Sequence, residues 1–282
     1  MAFTLYKPTT PGRRHAGVSG WKTEVTKRTP EKSLLTIRKR TGGRNNQGKI
    51  TTRHRGGGAK RMVRALDIFQ DKLDVPGTVL GIEYDPNRTA YLALLQYPDG
   101  EKRYIIAPVG LKPGTQVVSA TKRVEVTTGN RMPLKDIPVG TAVHALEIQP
   151  GRGGITVRSA GSSATIMAVE GDMAQVKMPS GEIRAIPAHA RASLGQVSNN
   201  DHSNVRLGKA GRVILKGFRP TVRGKEMNPV DHPHGGGEGS QPIGMKHPKT
   251  PWGKPARGVK TRKAGRYSDA FILKRRPKKT DK

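Results

Sequence analysis

Cysteine is absent from the 282 residues, so disulfides and thiolate metal sites are excluded at the outset. Aromatic residues make up only 4% and hydrophobic residues 33%. That supply cannot fill one large core, though it suffices for one or two small barrels. No apolar run approaches the roughly 18 residues a membrane helix needs, and the N-terminus has no signal-peptide-like apolar stretch. A soluble chain that stays where it is made is the expectation, with no membrane partner. Acids are also scarce, with 21 Asp and Glu against 52 Lys and Arg and a formal charge of +31. A globule so unbalanced repels itself, which implies a polyanionic partner and argues against a homo-oligomer.

The shortage of acids is confined to the ends. Residues 1–61 carry 16 Lys/Arg and 2 acids, residues 62–200 carry 15 and 13, and residues 201–282 carry 21 and 6. A near-neutral middle between basic arms is the pattern of a folded core with nucleic-acid-binding extensions. The chain therefore divides into a basic N-terminal extension (1–61), two small folded domains (62–125 and 126–200) and a basic C-terminal extension (201–282).

The middle has strand signals. Val63 to Ile68 alternates, Gly77 to Tyr84 follows a Pro-Gly turn, and Ala90 to Tyr97 is largely apolar. Pro98-Asp99-Gly100 closes a hairpin onto Lys102 to Ala107, and Gly114 to Ser119 adds a fifth short strand. Five short strands at this spacing suit an OB-like barrel. A second set, Val143 to Ile148, Ala164 to Val169, Met173 to Met178 and Glu182 to Ile186, turns tightly at Glu170-Gly171-Asp172 and Pro179-Ser180-Gly181. It suits an SH3-like barrel, with Ile166 and Val176 as core. The fold class expected is mainly β: an OB-like barrel followed by an SH3-like barrel, with long, irregular, basic extensions.

The extensions carry the chemistry. Arg38 to Arg61 mixes Arg and Lys with Gly, Asn and Gln, giving planar phosphate donors on a backbone free to approach a ligand. Its Gly56-Gly57-Gly58 is not a phosphate-binding P-loop, because no Gly-Lys-Ser/Thr follows an apolar strand. Farther on, Met227 to Gly239 reads Met-Asn-Pro-Val-Asp-His-Pro-His-Gly-Gly-Gly-Glu-Gly. Two prolines and four glycines bar it from helix or sheet interior, so an outside surface is expected to order it. Trp252 and Phe218 are either base-stacking platforms or local packing anchors.

Taken together, several segments resemble the bacterial-type large-subunit ribosomal protein L-two family. They are Gly42-Gly43-Arg44-Asn45-Asn46 with Ile50-Thr51-Thr52-Arg53, Glu83-Tyr84-Asp85-Pro86-Asn87-Arg88, Leu207 to Gly211, Arg219 to Gly224 and the whole 227–239 run. One departure is that Leu215 stands where many members have Trp. The resemblance implies a structural constituent of the large ribosomal subunit that binds 23S-type rRNA near the peptidyl-transferase region. It further implies support of subunit assembly and association, tRNA binding, contact with the small subunit at an intersubunit bridge, contact with other ribosomal proteins, and a cytoplasmic location on the ribosome. It carries a histidine discussed as aiding peptidyl transfer onto His232 or His234, here taken as positioning RNA. Chemistry and resemblance together nominate as RNA contacts Arg44, Arg53, Arg55, Lys60, Arg61, Arg88, Lys209, Arg212, Arg219, Arg223, Lys225, His232, His234 and Trp252. A catalytic or metal site on Asp231, His232, His234 and Glu238 is the rival reading. It lacks a third ligand at suitable spacing and an activated nucleophile, so no enzyme activity is expected. No cofactor is expected beyond Mg²⁺ carried by the rRNA.

Overall fold

The fold is described by a computed structural model covering residues 3–276. It is mainly β, and the chain gathers into two compact units. Unit one holds residues up to Lys39, then Lys60–Lys209, then Ser268 onward; unit two holds Arg40–Ala59 and Ala210–Tyr267.

Unit one begins with β1 (Thr4–Leu5), a short helix α1 (Pro11–Arg14) and β2 (Ala16–Val18), which pairs antiparallel with β1. β3 (Leu35–Ile37) pairs with β4 (Met62–Arg64). Leu34, just before β3, packs against the buried cluster that includes Leu92, Leu94 and Tyr104. The expected strand over 63–68 is shorter than its alternation suggests, with Leu66 adding a single bridge to Tyr104. Next come β5 (Pro76–Glu83), β6 (Leu92–Gln96), β7 (Lys102–Ile106) and β8 (Gln116–Val118), hydrogen-bonded in the order β7-β6-β5-β8. β6 is apolar on both faces because both are covered. Leu92 and Leu94 join Tyr104, Ile106 and Val197, while Ala93 and Leu95 join Val79, Ile82, Ile105 and Val117. This is the OB-like barrel.

The SH3-like barrel follows, with β9 (Arg131–Pro133), β10 (Ala142–His144), β11 (Ala164–Glu170), β12 (Met173–Lys177), β13 (Ile183–Pro187) and β14 (Arg191–Leu194). β15 (Arg206–Leu207) returns to pair with β2, and helix α2 (Ala210–Leu215) opens the C-terminal part of unit two. β16 (Ile272–Lys274) adds itself to β13, completing a seven-stranded sheet ordered β16-β13-β12-β11-β10-β14-β9. Ile166, Val176, Ile186, Leu134, Leu146 and Leu194 fill its core.

One charged pair lies inside this barrel. Arg131 is fully buried, and its guanidinium meets the Glu147 carboxylate at 2.9 Å and donates to the Ala145 carbonyl at 2.8 Å. Glu147 also accepts the Arg191 backbone N–H at 3.2 Å. Burial pulls the Arg131 pKa below its usual value, and the Glu147 charge opposes that pull. Backbone bonds join the two barrels: Ser198 N–H to Ala107 O at 3.0 Å, Val109 N–H to Gln196 O at 2.7 Å, and Ala120 N–H to Arg131 O at 2.7 Å.

Candidate nucleic-acid interface

Unit two is built mainly from backbone pairing and turns. Residues 54–59 run antiparallel to 215–219, with Arg219 N–H donating to His54 O (3.0 Å), Gly56 N–H to Gly217 O (3.1 Å) and Ala59 N–H to Leu215 O (3.0 Å). Leu215, at the position of the missing Trp, is exposed and contributes its carbonyl here. The Arg40 guanidinium closes the ladder from outside by donating to the Gly57 and Ala59 carbonyls. Arg55 lies over the Phe218 ring, 4.2 Å from its centre, so guanidinium and ring form one platform. Upstream, the Thr51 and Thr52 N–H groups donate to Gly43 O, and the Asn45 side chain accepts from Gln47 and Lys49 N–H at 3.0 Å each. These bonds fold the strip carrying Arg44 and Arg53. Arg44 and Arg53 both stay exposed.

The His-Pro-His run folds onto itself. Asp231 and His232 N–H groups donate to Asn228 O, Gly235 N–H to His232 O (2.8 Å) and Gly236 N–H to Met227 O (3.1 Å). The His232 ring is only 7% exposed and rests against Gly224, where a Cβ would sit 2.5 Å from the ring. Gly235 is equally constrained, because a Cβ there would strike the Asn228 and Met227 carbonyls. His232 Nδ1 accepts the His234 N–H at 3.0 Å, and His234 Nε2 accepts the Lys249 N–H at 2.7 Å. Desolvation lowers the His232 pKa, and the His234 and Arg53 charges add to the effect. Trp252 is 74% exposed on a tight turn closed by Thr250 N–H to Lys254 O (2.7 Å) and Gly253 N–H to Thr250 O (2.9 Å). It is not a packing anchor.

Ten of the fourteen nominated residues fall in unit two: Arg44, Arg53, Arg55, Arg212, Arg219, Arg223, Lys225, His232, His234 and Trp252. Arg219 is exposed, Arg212 and Lys225 are half-buried, and Arg223 is an exposed partner of Glu226 at 2.7 Å. The other four, Lys60, Arg61, Arg88 and Lys209, belong to unit one. Lys60 and Lys209 are exposed, whereas Arg61 donates to Pro86 O at 3.0 Å and Arg88 sits 2.5 Å from the buried Asp85 carboxylate. Residue patterns miss Arg40, whose brace depends on where Gly57 and Ala59 point. They also miss Tyr267, an exposed ring lying amid cations in the sequence. Among the described residues, no group of three or more His, Asp or Glu could hold a metal ion, and no helix is long and apolar enough to cross a membrane.

Two small barrels with a cation-rich, loop-built unit carrying exposed rings have the features that suit an RNA-binding protein. Residues 31–119 match the family model described as Ribosomal Proteins L2, RNA binding N-terminal domain, and residues 127–253 match Ribosomal Proteins L2, C-terminal domain. The chain belongs to this ribosomal L2 family, whose role is that of a structural, RNA-binding component of the large ribosomal subunit.

Proposed function

We propose that this protein binds 23S-type rRNA chiefly through unit two, and that its task near the peptidyl-transferase region is architectural. The observation that carries this reading is an imbalance: unit two holds 18 Lys/Arg against 3 acids, so most of its cations have no acid within the unit to pair with. Arg44, Arg53, Arg55 and Arg219 meet phosphate, with Trp252 stacking on a base or ribose. Lys60, Arg61, Arg88 and Lys209 extend the contact along unit one, and Arg212, Arg223 and Lys225 along unit two. Division into extensions at 1–61 and 201–282 and barrels at 62–125 and 126–200 describes how the chain serves this contact. Subunit assembly, association through an intersubunit bridge, tRNA binding and contact with other ribosomal proteins follow from that placement, in the cytoplasm. Mg²⁺ enters only with the rRNA.

Catalysis is not part of this proposal. Each of the two histidines has a lone pair engaged by a backbone N–H, which can only donate. A neutral imidazole has one such lone pair, so none is left to take a proton from a nucleophile. The test is the salt dependence of binding to large-subunit rRNA. Each phosphate contact contributes a slope of roughly −0.7 to −0.9 in log affinity against log salt. A steep slope, together with a strong preference over an unrelated RNA at physiological salt, is expected. A flat slope refutes the phosphate contact, and equal affinity for both RNAs refutes a dedicated rRNA role.

A further inference from the structure

The two histidines lie on one chain of hydrogen bonds that ends at Lys249, at the start of the turn bearing Trp252. Gly224 supplies a flat seat for the His232 ring, and His232 Nδ1 accepts from His234 N–H. The two rings sit 4.6 Å apart, tilted by 58°. His234 Nε2 accepts from Lys249 N–H. Lys249 opens the turn that bears Trp252; it bridges to Pro255, and Ala256 N–H donates to Pro248 O at 2.8 Å. Because both donors are peptide N–H groups, the ring nitrogens facing them must be bare. His232 therefore carries its hydrogen on Nε2 and His234 carries its hydrogen on Nδ1.

We propose that His232 and His234 are positioning residues: His234 holds the Trp252 turn by accepting the Lys249 N–H on Nε2, and His232 holds His234 by accepting its N–H on Nδ1. The ring itself is dispensable wherever another acceptor reaches the same point. An Asn side chain places its oxygen near the position of Nδ1, and a Gln side chain reaches that of Nε2. The inference rests on Trp252 being an RNA contact, and it makes an asymmetric demand that a proton-transfer role does not share.

The experiment measures affinity for large-subunit rRNA with the full chain carrying His232→Asn, His232→Gln, His234→Asn or His234→Gln. His232→Asn and His234→Gln are expected to bind within about threefold of wild type. His232→Gln and His234→Asn each leave a peptide N–H without its partner and should weaken binding about tenfold. In a Trp252→Ala background the cost of His234→Asn should vanish, because the turn then has no ring to present. Equal loss in all four variants, equal retention in all four, or a full His234→Asn cost without Trp252 would overturn the proposal. The ¹⁵N signals of the imidazoles in the rRNA complex give a second readout, with bare Nδ1 on His232 and bare Nε2 on His234 expected; protonation at either site contradicts it. If Trp252→Ala alone leaves rRNA affinity unchanged, the RNA-contact reading fails. Fast hydrogen exchange at Lys249 N–H in wild type then separately marks failure of the pin.

Discussion

The two units treat positive charge in opposite ways. In the barrels of unit one, many cations are engaged by acids of the protein itself. Arg103 meets Asp67 (2.9 Å), Glu101 (2.7 Å) and Asp71, Lys72 meets Glu101 (2.6 Å) and Asp99, and Lys102 meets Glu31 at 2.9 Å. Lys27 meets the buried Glu83 at 3.3 Å, and Arg131 is sealed against Glu147. Unit two has 18 cations, 3 acids and almost half of the chain's 35 glycines in 78 residues. Arg40 there donates to carbonyls, Arg55 covers the Phe218 ring, and Arg223 meets Glu226 at 2.7 Å. The same residue type thus serves folding in one unit and is surrounded by few acids in the other. Charge count alone does not separate the two uses; the presence of neighbouring acids does.

The largest effect that sharpens this contrast is expected from Arg131→Met. Removing one partner leaves the buried Glu147 carboxylate only the Arg191 backbone N–H and its guanidinium 3.8 Å away, which costs about 3 kcal/mol. Denaturant unfolding of the full chain should register that loss in unit one. The salt slope for rRNA should stay as in wild type, since Arg131 is engaged only within the protein.

Acid should act on the same unit. His144 is buried at the end of β10, with its Nδ1 donating to Gly195 O at 3.0 Å. Desolvation, helped by the Arg131 charge, lowers its pKa to about 4 against backbone bonds to Gly195 and Ile106 that favour the charged form. The unfolded chain therefore binds a proton before the folded one does. Stability from this residue is complete above the unfolded value of 6.5 and falls as pH drops from there toward about 4. The full loss is roughly 3 kcal/mol at 1.36 kcal/mol per pKa unit. Chemical denaturation at pH 7 and pH 4.5 measures it, and His144→Gln should flatten the difference.

How much of this was legible in the sequence depended on whether the signal was local. β6 could be read because an apolar run covered on both faces leaves its mark within five residues. β9 could not, because it contains Arg131 and Pro133, both of which argue against a buried strand. The distant Glu147 and the Ala145 carbonyl make that burial tolerable. Unit two was legible as two basic extensions but not as one body, since 54–59 and 215–219 lie about 160 residues apart and have no alternating pattern. Gly, Arg and Lys in those segments predicted closeness to RNA, and the ladder between them rests on backbone groups that every residue has. For the same reason His232 and His234 stood out by type, while the nitrogen each offers, and to which N–H, is decided only by the folded loop.

A smaller effect separates charge from stacking inside unit two. Trp252→Ala should weaken rRNA binding by about 1–3 kcal/mol with no change in salt slope, because the ring contributes no counterion release. Filter binding at several salt concentrations checks both parts. A changed slope would place the residue among the charge contacts.

The central claim is that unit two's cations carry most of the contact with rRNA, and that a unit-one cation enclosed by several acids, such as Arg103, carries none. Its most direct test compares Arg219→Gln with Arg103→Gln, following log affinity for large-subunit rRNA against log salt. Arg219→Gln should reduce the steepness by about 1, because one fewer phosphate is then neutralised, and Arg103→Gln should leave it unchanged. An unchanged slope for Arg219→Gln, or an equal drop for Arg103→Gln, would contradict the account.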